Sequence, residues 1–437
     1  MTPSARLAAA IEVLSGIEER HQPAHLALKS WGGQARYAGS KDRAWVSGLV
    51  LDALRRKRSL AWMAGGDGPR LQALATLRFA WDWTLDAVSE AAAGEPHGPG
   101  PMTSDEMSAL AAPRAISDAP EPVAGDYPDW LDPYLDRVFH DVRADEAAAL
   151  ARRAPVDLRA NTLKADAAKV LKALESMGAE PFDLLENALR VPAPGAAERA
   201  ASVESLPVFA KGWFEVQDLG SQIAAAAAGD VKGRQVLDYC SGGGGKTLAL
   251  AAAMANSGQI YAYDTDVRRL SEVVTRGQRA GVRNLQIHSP SDVEPLAGLE
   301  GRMDVVFVDA PCTGSGTWRR HPDAKWRLTP AQLERRMLEQ AQVLEAAQAF
   351  VKPGGRLVYV TCSVLAEENE DQVSALLAAH PTFATVPALE AVRASGLATD
   401  QGLAELAERV TSDGHLRLSP RSGGADGFFI AVVERRS

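Results

Sequence analysis

The chain has 437 residues, 46% hydrophobic and 24% charged, with a formal net charge of −9. This is globular composition, which excludes a mainly disordered protein, and the length favours two or three units with at least one substantial core. No apolar 18-mer and no clean signal-peptide core is present, and three cysteines are too few to staple such a chain, so a cytoplasmic protein without a membrane partner is expected.

Residues 4–20, 41–62 and 69–90 carry the three- and four-residue apolar spacing of amphipathic helices, as in Trp45, Leu49, Leu51 and Leu54. Trp31, Trp45, Trp62, Trp81 and Trp83 fall in this stretch and are expected in its core. Residues 1–70 hold 11 Lys and Arg against 6 Asp and Glu, concentrated in Arg55, Arg56, Lys57 and Arg58, whereas residues 86–150 hold 3 against 14. An acidic segment therefore masks basic surface elsewhere, and the negative total does not exclude an RNA partner. Two Gly- and Pro-rich patches, GEPHGPGPMTSDE and SDAPEPVAGDYP, predict a linker over 94–125 after a helical domain at 1–93. Under that division, removing residues 1–125 leaves the remainder folded.

Residues 126–205 read as a small α/β domain, with a strand at Val156–Arg159, a helix from Lys164 to Gly178 and strand again over 182–191. Beyond it, 206–437 has the alternation of an α/β, Rossmann-like, doubly wound domain. Its strands are QVLDYC, QIYAYD, MDVVFVDAP and GRLVYVTCS, with crossover helices near 220–229, 247–256, 266–280 and 331–350.

The first of these strands runs into Ser241, Gly242, Gly243, Gly244, Gly245, Lys246 and Thr247. Glycines there let backbone N–H groups approach a ligand at a helix N-terminus. A phosphate-binding P-loop would need glycine where Cys240 stands, and the dinucleotide fingerprint would need it at Thr247. Asp264 ends the next strand, where a carboxylate can accept from a ribose diol. A nucleoside cofactor lacking a pyrophosphate, such as S-adenosylmethionine, fits this pattern.

Cys240, Cys312 and Cys362 all stand at the carboxyl ends of predicted parallel strands, the edge where open α/β sheets bind ligands. No C-x-x-C pair exists and the gaps are 72 and 50 residues, so no metal site is expected. A cysteine beside a methyl donor suits cytosine chemistry. Thiolate addition at C6 makes C5 nucleophilic enough to take a methyl group, provided the base is unpaired or flipped out.

Asp309-Ala310-Pro311-Cys312-Thr313-Gly314-Ser315-Gly316, then Arg319, Arg320, His321, Pro322, Asp323, Lys325 and Trp326, closely resembles the Sun/NOL1/NOP2 family of RNA cytosine-C5 methyltransferases. So do Thr361-Cys362-Ser363 with Glu367-Glu368-Asn369-Glu370, Val156–Lys164, Val216–Gln222 and Asp426–Phe429, so that the resemblance covers about 155–437. It implies a seven-stranded S-adenosylmethionine-dependent methyltransferase domain in which Cys362 is the nucleophile, Cys312 assists release, Asp309 holds the cytosine edge and Lys246 orients either Asp309 or the base. It further implies a cofactor site of Cys240, Ser241, Gly242–Gly245, Lys246, Asp264, Arg269, Asp292 and Asp309, and an RNA grip through Arg159 and Asn161. The first 90 residues resemble a NusB-like helical domain, which assigns RNA docking to Arg55–Arg58.

Two departures stand out. Gly242-Gly243 replaces the Ala-Pro of the family motif, which frees the loop backbone, and the acidic residue near the adenine is matched by Asp292 only with a small length change. Between Trp318 and Trp326, Arg319, Arg320, Lys325 and Arg327 look like a single-stranded RNA site, with arginines for phosphates beside stacking rings. The expected substrate is 16S rRNA, acted on by a monomer. A tRNA substrate and a non-catalytic ribosome assembly factor are the rival readings.

Overall fold

The computed structural model describes residues 1–198 and 202–436. Residues 199–201, within the expected small α/β domain, and Ser437, at the end of the expected catalytic domain, lie outside them. The chain divides into a helical unit, Met1–Ala154 with Ala193–Ala200 and Trp318–Leu328, and a sheet unit made of the rest.

In the helical unit, Thr2 caps the helix Pro3–Arg20 by accepting from Ala5 N at 3.2 Å, and a proline starts its first turn. Its Leu7, Ala10 and Leu14 share one core with Val46, Leu49 and Val50 of the helix Ser40–Arg55. The helix expected over 41–62 breaks at Arg56 and resumes as Lys57–Met63. Buried Asp126 caps the second piece, accepting from Arg58 N and Ser59 N at 2.9 Å each and from Ser59 Oγ at 2.6 Å. The stretch 69–90 likewise divides, into Pro69–Ala75, a π-turn at Thr76–Ala80 and Leu85–Ala93. Trp31, Trp45 and Trp81 are buried, Trp45 meeting Trp81 edge to face at 5.1 Å, while Trp62 and Trp83 are partly exposed.

The segment 94–125 is not a linker. It carries the helix Ser104–Ala111, closed by a Thr103–Glu106 capping box, and Leu110 lies fully within the same core. Arg70 gathers the irregular part by donating to the carbonyls of Pro99, Gly100 and Pro101 while pairing with Glu106 at 2.7 Å. Glycine and proline signal a lack of regular structure, and here an arginine supplies the packing that regular structure does not. The unit continues through the helices Asp132–Phe139 and Arg143–Leu150, so its boundary falls at 154 and not at 93.

In the sheet unit a small antiparallel sheet holds β1 (Val156–Ala160), β2 (Glu180–Pro181), β3 (Ala188–Val191) and β4 (Phe214–Val216), in the order β2-β3-β1-β4. It belongs to the same unit as the large sheet. The helix expected over 164–178 shortens to Ala167–Ala173, with Gly178 closing the following turn at φ 67°.

The large sheet comprises β5 (Gln235–Asp238), β6 (Gln259–Tyr263), β7 (Leu285–His288), β8 (Met303–Asp309), β9 (Val351–Thr361), β10 (Phe383–Val386), β11 (Leu416–Leu418) and β12 (Phe428–Arg435). Its order is β10-β12-β9-β8-β5-β6-β7, with β5 to β9 parallel, β12 antiparallel to β9, and short β11 an eighth strand on β12. Continuous apolar runs such as Val305–Val308 and Leu357–Val360 are buried on both faces, as a helix-covered parallel sheet requires. Strand order reverses between β5 and β8, which opens a crevice at their carboxyl ends. Among the described residues no helix is long and apolar enough to cross a membrane.

Candidate active site

The crevice is lined by the loops that leave the carboxyl ends of the parallel strands. After β5, Gly242 and Gly244 adopt φ 53° and 84°, conformations that favour glycine, and the helix Gly245–Ala253 begins immediately. Ser241 N donates to Tyr263 O and Gly244 N to Ser241 O, each at 2.9 Å. Asp264, just past β6, accepts from Gly242 N and Asp266 N, each at 2.8 Å, so it organises both turns while remaining at the crevice edge. Buried Asp238 accepts from Thr247 Oγ at 2.6 Å, and burial raises its pKa to about 7.

Lys246 Nζ donates to Asp309 Oδ2 at 2.7 Å, spanning β5 to β8 at the point where the strand order reverses. Burial alone would lower the Lys246 pKa; the Asp309 carboxylate more than offsets it, and the ammonium is held protonated.

Cys312, beyond β8, and Cys362, beyond β9, bring their Sγ atoms to 3.4 Å. The bond to Cys362 and then burial push the Cys312 thiol well up, so Cys312 keeps its proton and can donate it toward the Cys362 sulfur. The Lys246 ammonium also feels the Cys362 sulfur.

Glu368 fixes this sulfur pair. Fully buried, it accepts from Thr313 N at 2.7 Å, Thr313 Oγ1, Ser363 Oγ and Gln340 Nε2, thereby tying the loop of one cysteine to the loop of the other. Gly316 N donates to Cys362 O at 2.9 Å, and its own carbonyl accepts from Gly427 N. A Cβ at Gly316 would lie 2.1 Å from the Gly427 carbonyl oxygen, which explains glycine at both positions. In the sequence Glu368 stands out only as part of a motif near Cys362; its 55-residue separation from Thr313 hides the tie to the loop of Cys312.

The cofactor residues fit S-adenosylmethionine on local grounds. Ser241 Oγ and Asp238 Oδ1 are buried without a partner among the described residues, and a Cβ at Gly242 would meet open space. Cys240 is packed beside Tyr239 under the same crevice, its thiol pushed well up by burial and then by Asp264 and Asp238. Asp292 lies in an exposed turn after β7, its carboxylate accepting from Ser289 N at 3.2 Å. Arg269 does not join the site. It is exposed on the helix Val267–Ala280 and lies 4.0 Å from Asp266. Arg276, two turns further along, instead reaches the glycine loop and donates to Gly243 O at 2.6 Å, a contact with no local sign in the sequence.

Several expected RNA contacts are internal. Arg159 is buried, its Nε donating to Gln217 Oε1 at 2.7 Å. Asn161 Nδ2 pins the Gly212 and Ala280 carbonyls at 2.8 Å each. Arg55 bonds Asp52 and the Arg319 carbonyl, and Arg319 is itself buried. Lys325, 1% exposed, donates to Arg55 O at 2.7 Å, and Trp326 Nε1 donates to Leu54 O. Arg320 is partly buried, Lys57 pairs with Glu18 and Arg58 with Asp129. Arg56 and Arg327 are exposed, Arg327 paired with Asp323 at 3.0 Å.

Residues 228–434 match the family model described as 16S rRNA methyltransferase RsmB/F. A probable ribosomal RNA small subunit methyltransferase B from Synechocystis is 31% identical over 71% of this chain and 67% of its own length. The chain belongs to the RsmB/F family. Its fold is shared with PH0851, a crystal structure matched over 100% of this chain and 99% of its own at TM-score 0.70 and 23% identity. A methyltransferase homologue from Pyrococcus horikoshii matches 72% of this chain and 97% of its own at TM-score 0.57 and 26% identity. As a member of this methyltransferase family, the chain uses S-adenosylmethionine as its cofactor.

Proposed function

We propose that this RNA methyltransferase methylates C5 of a cytosine in small-subunit ribosomal RNA, with Cys362 as nucleophile. The observation that carries the reading is the pair of sulfurs 3.4 Å apart beside the Lys246–Asp309 ion pair. Methylation at an exocyclic or ribose atom needs no thiolate, whereas C5 of cytosine does.

In this mechanism Asp309, fixed by Lys246, accepts from the N4 amine of the cytosine and presents C6 to Cys362. The thiolate adds to C6 and the displaced π electrons make C5 nucleophilic. Bound S-adenosylmethionine supplies the electrophilic methyl group. Solvent then takes the C5 proton, the freed electron pair re-forms the C5–C6 double bond and the Cys362 sulfur leaves, a collapse that Cys312 assists by donating its S–H toward the departing sulfur. Glu368 holds the two sulfur-bearing loops in register throughout.

The relatives named as small-subunit rRNA methyltransferases support rRNA as substrate. Docking of that RNA falls to exposed cations of the helical unit, Lys29, Arg36, Lys41 and Arg56, with exposed Tyr37 among them. The setting is the cytoplasm. Bisulfite sequencing of rRNA and tRNA from strains with and without the gene tests the reading. A cytosine in small-subunit rRNA that loses protection on deletion is the expected result; an unchanged rRNA pattern overturns it, and a tRNA site lost instead moves the substrate to tRNA.

A further inference from the structure

Four consecutive glycines, Gly242–Gly245, give the cofactor loop no side chain with which to hold its shape. Chain freedom of that kind must be lost when a ligand binds, which weakens binding unless the loop is already ordered. Two of its backbone groups are held by neighbours at the sheet edge, Gly242 N by Asp264 and Ser241 N by Tyr263 O. The carbonyl of Gly243 is held differently. Arg276 Nη1 donates to it at 2.6 Å, and Arg276 Nη2 donates to Glu215 Oε2 at 2.9 Å.

Glu215, on β4, is buried and is also bonded by Arg279 at 2.6 Å, so its carboxylate is a fixed anchor. The guanidinium is planar and charged, and bridges a carboxylate on one side and a carbonyl on the other. A Cβ added at Gly243 would meet only side-chain ends, Glu272 Oε2 at 3.0 Å and Arg276 Nη1 at 3.5 Å, and the exposed Glu272 side chain can give way by the few tenths of an ångström required. Gly243 N–H makes no hydrogen bond among the described residues, and its φ is not positive. The position therefore has the backbone features of a proline site, in a loop that resembles one with proline there.

We propose that Arg276 is a positioning residue for S-adenosylmethionine, substituting for the missing proline by latching the Gly243 carbonyl to Glu215. The inference rests on the reading that this loop holds the cofactor. Because the anchor lies on β4, the latch also joins the small sheet to the cofactor loop.

The test is isothermal titration of S-adenosylmethionine into full-length protein, with steady-state methylation alongside. Arg276→Ala should raise the dissociation constant roughly 10-fold, the scale of one charge-assisted hydrogen bond. KM for the cofactor should rise with it, while kcat at saturating cofactor falls no more than about twofold. Arg276→Gln, which keeps most of the side-chain volume, should show the same loss, and equal thermal melting of the variants excludes misfolding. Adding Gly243→Pro to Arg276→Ala should restore most of the affinity, because proline fixes φ without removing a bonded N–H. Unchanged affinity in Arg276→Ala, or a loss that proline does not reverse, overturns the proposal. Wild-type protein that binds no S-adenosylmethionine would instead remove the reading of the loop on which it stands.

Discussion

Lys325 Nζ donates to the backbone carbonyl of Arg55 over 2.7 Å, inside the helical unit and out of reach of solvent. Two residues that the sequence offers to RNA phosphate thus bind each other. The segment carrying Lys325, Trp318–Leu328, is packed as part of the helical unit although it lies between strands of the sheet unit in sequence. Asp323 accepts from Ala24 N at 3.1 Å and Trp326 packs against the same core.

Deleting residues 1–125 is therefore expected to fail as a clean truncation. It strips the partners from Trp326 and Lys325, and removes Arg58 and Ser59, which Asp126 binds. The shortened chain should aggregate in size-exclusion chromatography. Soluble, monodisperse protein with wild-type cofactor affinity would contradict this packing.

Lys325 also predicts a pH effect. Burial lowers its pKa from 10.5 to about 8, with Asp126 opposing the shift. Between about pH 8 and 10.5 the unfolded chain binds more protons at this site than the folded one, so the lysine's contribution to stability rises with pH there. In urea unfolding followed by tryptophan fluorescence, Lys325→Met should lose that rise. Parallel pH profiles for variant and wild type would contradict it.

Glu368→Gln places an amide N–H₂ among four donors that now converge on a carboxylate. Misalignment of the two cysteine loops should lower kcat by roughly 10- to 100-fold, the cost of one or two charge-assisted hydrogen bonds. Calorimetric affinity for S-adenosylmethionine should stay within twofold, since the hydrogen bonds of Glu368 run to Thr313, Gln340, Ser363 and Tyr359 and not, among the described residues, to the glycine loop. Equal losses in both quantities would mean that Glu368 supports the fold generally.

Asp264→Ala removes the carboxylate at the end of β6 and frees Gly242 N. The dissociation constant for S-adenosylmethionine should rise roughly 10- to 100-fold if about 1.5–3 kcal/mol is lost. Unchanged affinity in a folded variant would reassign the ribose contact.

The parts of the molecule legible in sequence are those with local causes. Buried strands such as Val305–Val308 announce themselves as apolar runs, and the glycine turn announces itself by residues that alone tolerate the φ of Gly242 and Gly244. The cysteines stand at strand ends, and strand pairing brings those ends together. What escaped has causes distant in the chain. Arg276 reaches back 33 residues to Gly243, and nothing near it in sequence marks it apart from exposed Arg269. Lys325 and Arg55 sit in basic runs that read as solvent-facing, yet 270 residues of separation end in a shared hydrogen bond. Arg159 and Asn161 belong to a family motif, but their bonds hold β1 to β4 and to the end of the helix Val267–Ala280.

In the proposed mechanism Cys362 attacks the base and Cys312 releases it. Denaturing electrophoresis of each cysteine variant, after incubation with S-adenosylmethionine and unmodified small-subunit rRNA, tests it most directly. Cys312→Ala should accumulate a protein–RNA adduct that survives denaturation, and Cys362→Ala should give no adduct and no methyl transfer. Adduct accumulating in the Cys362→Ala protein, or methylation persisting there at the wild-type rate, would contradict the account.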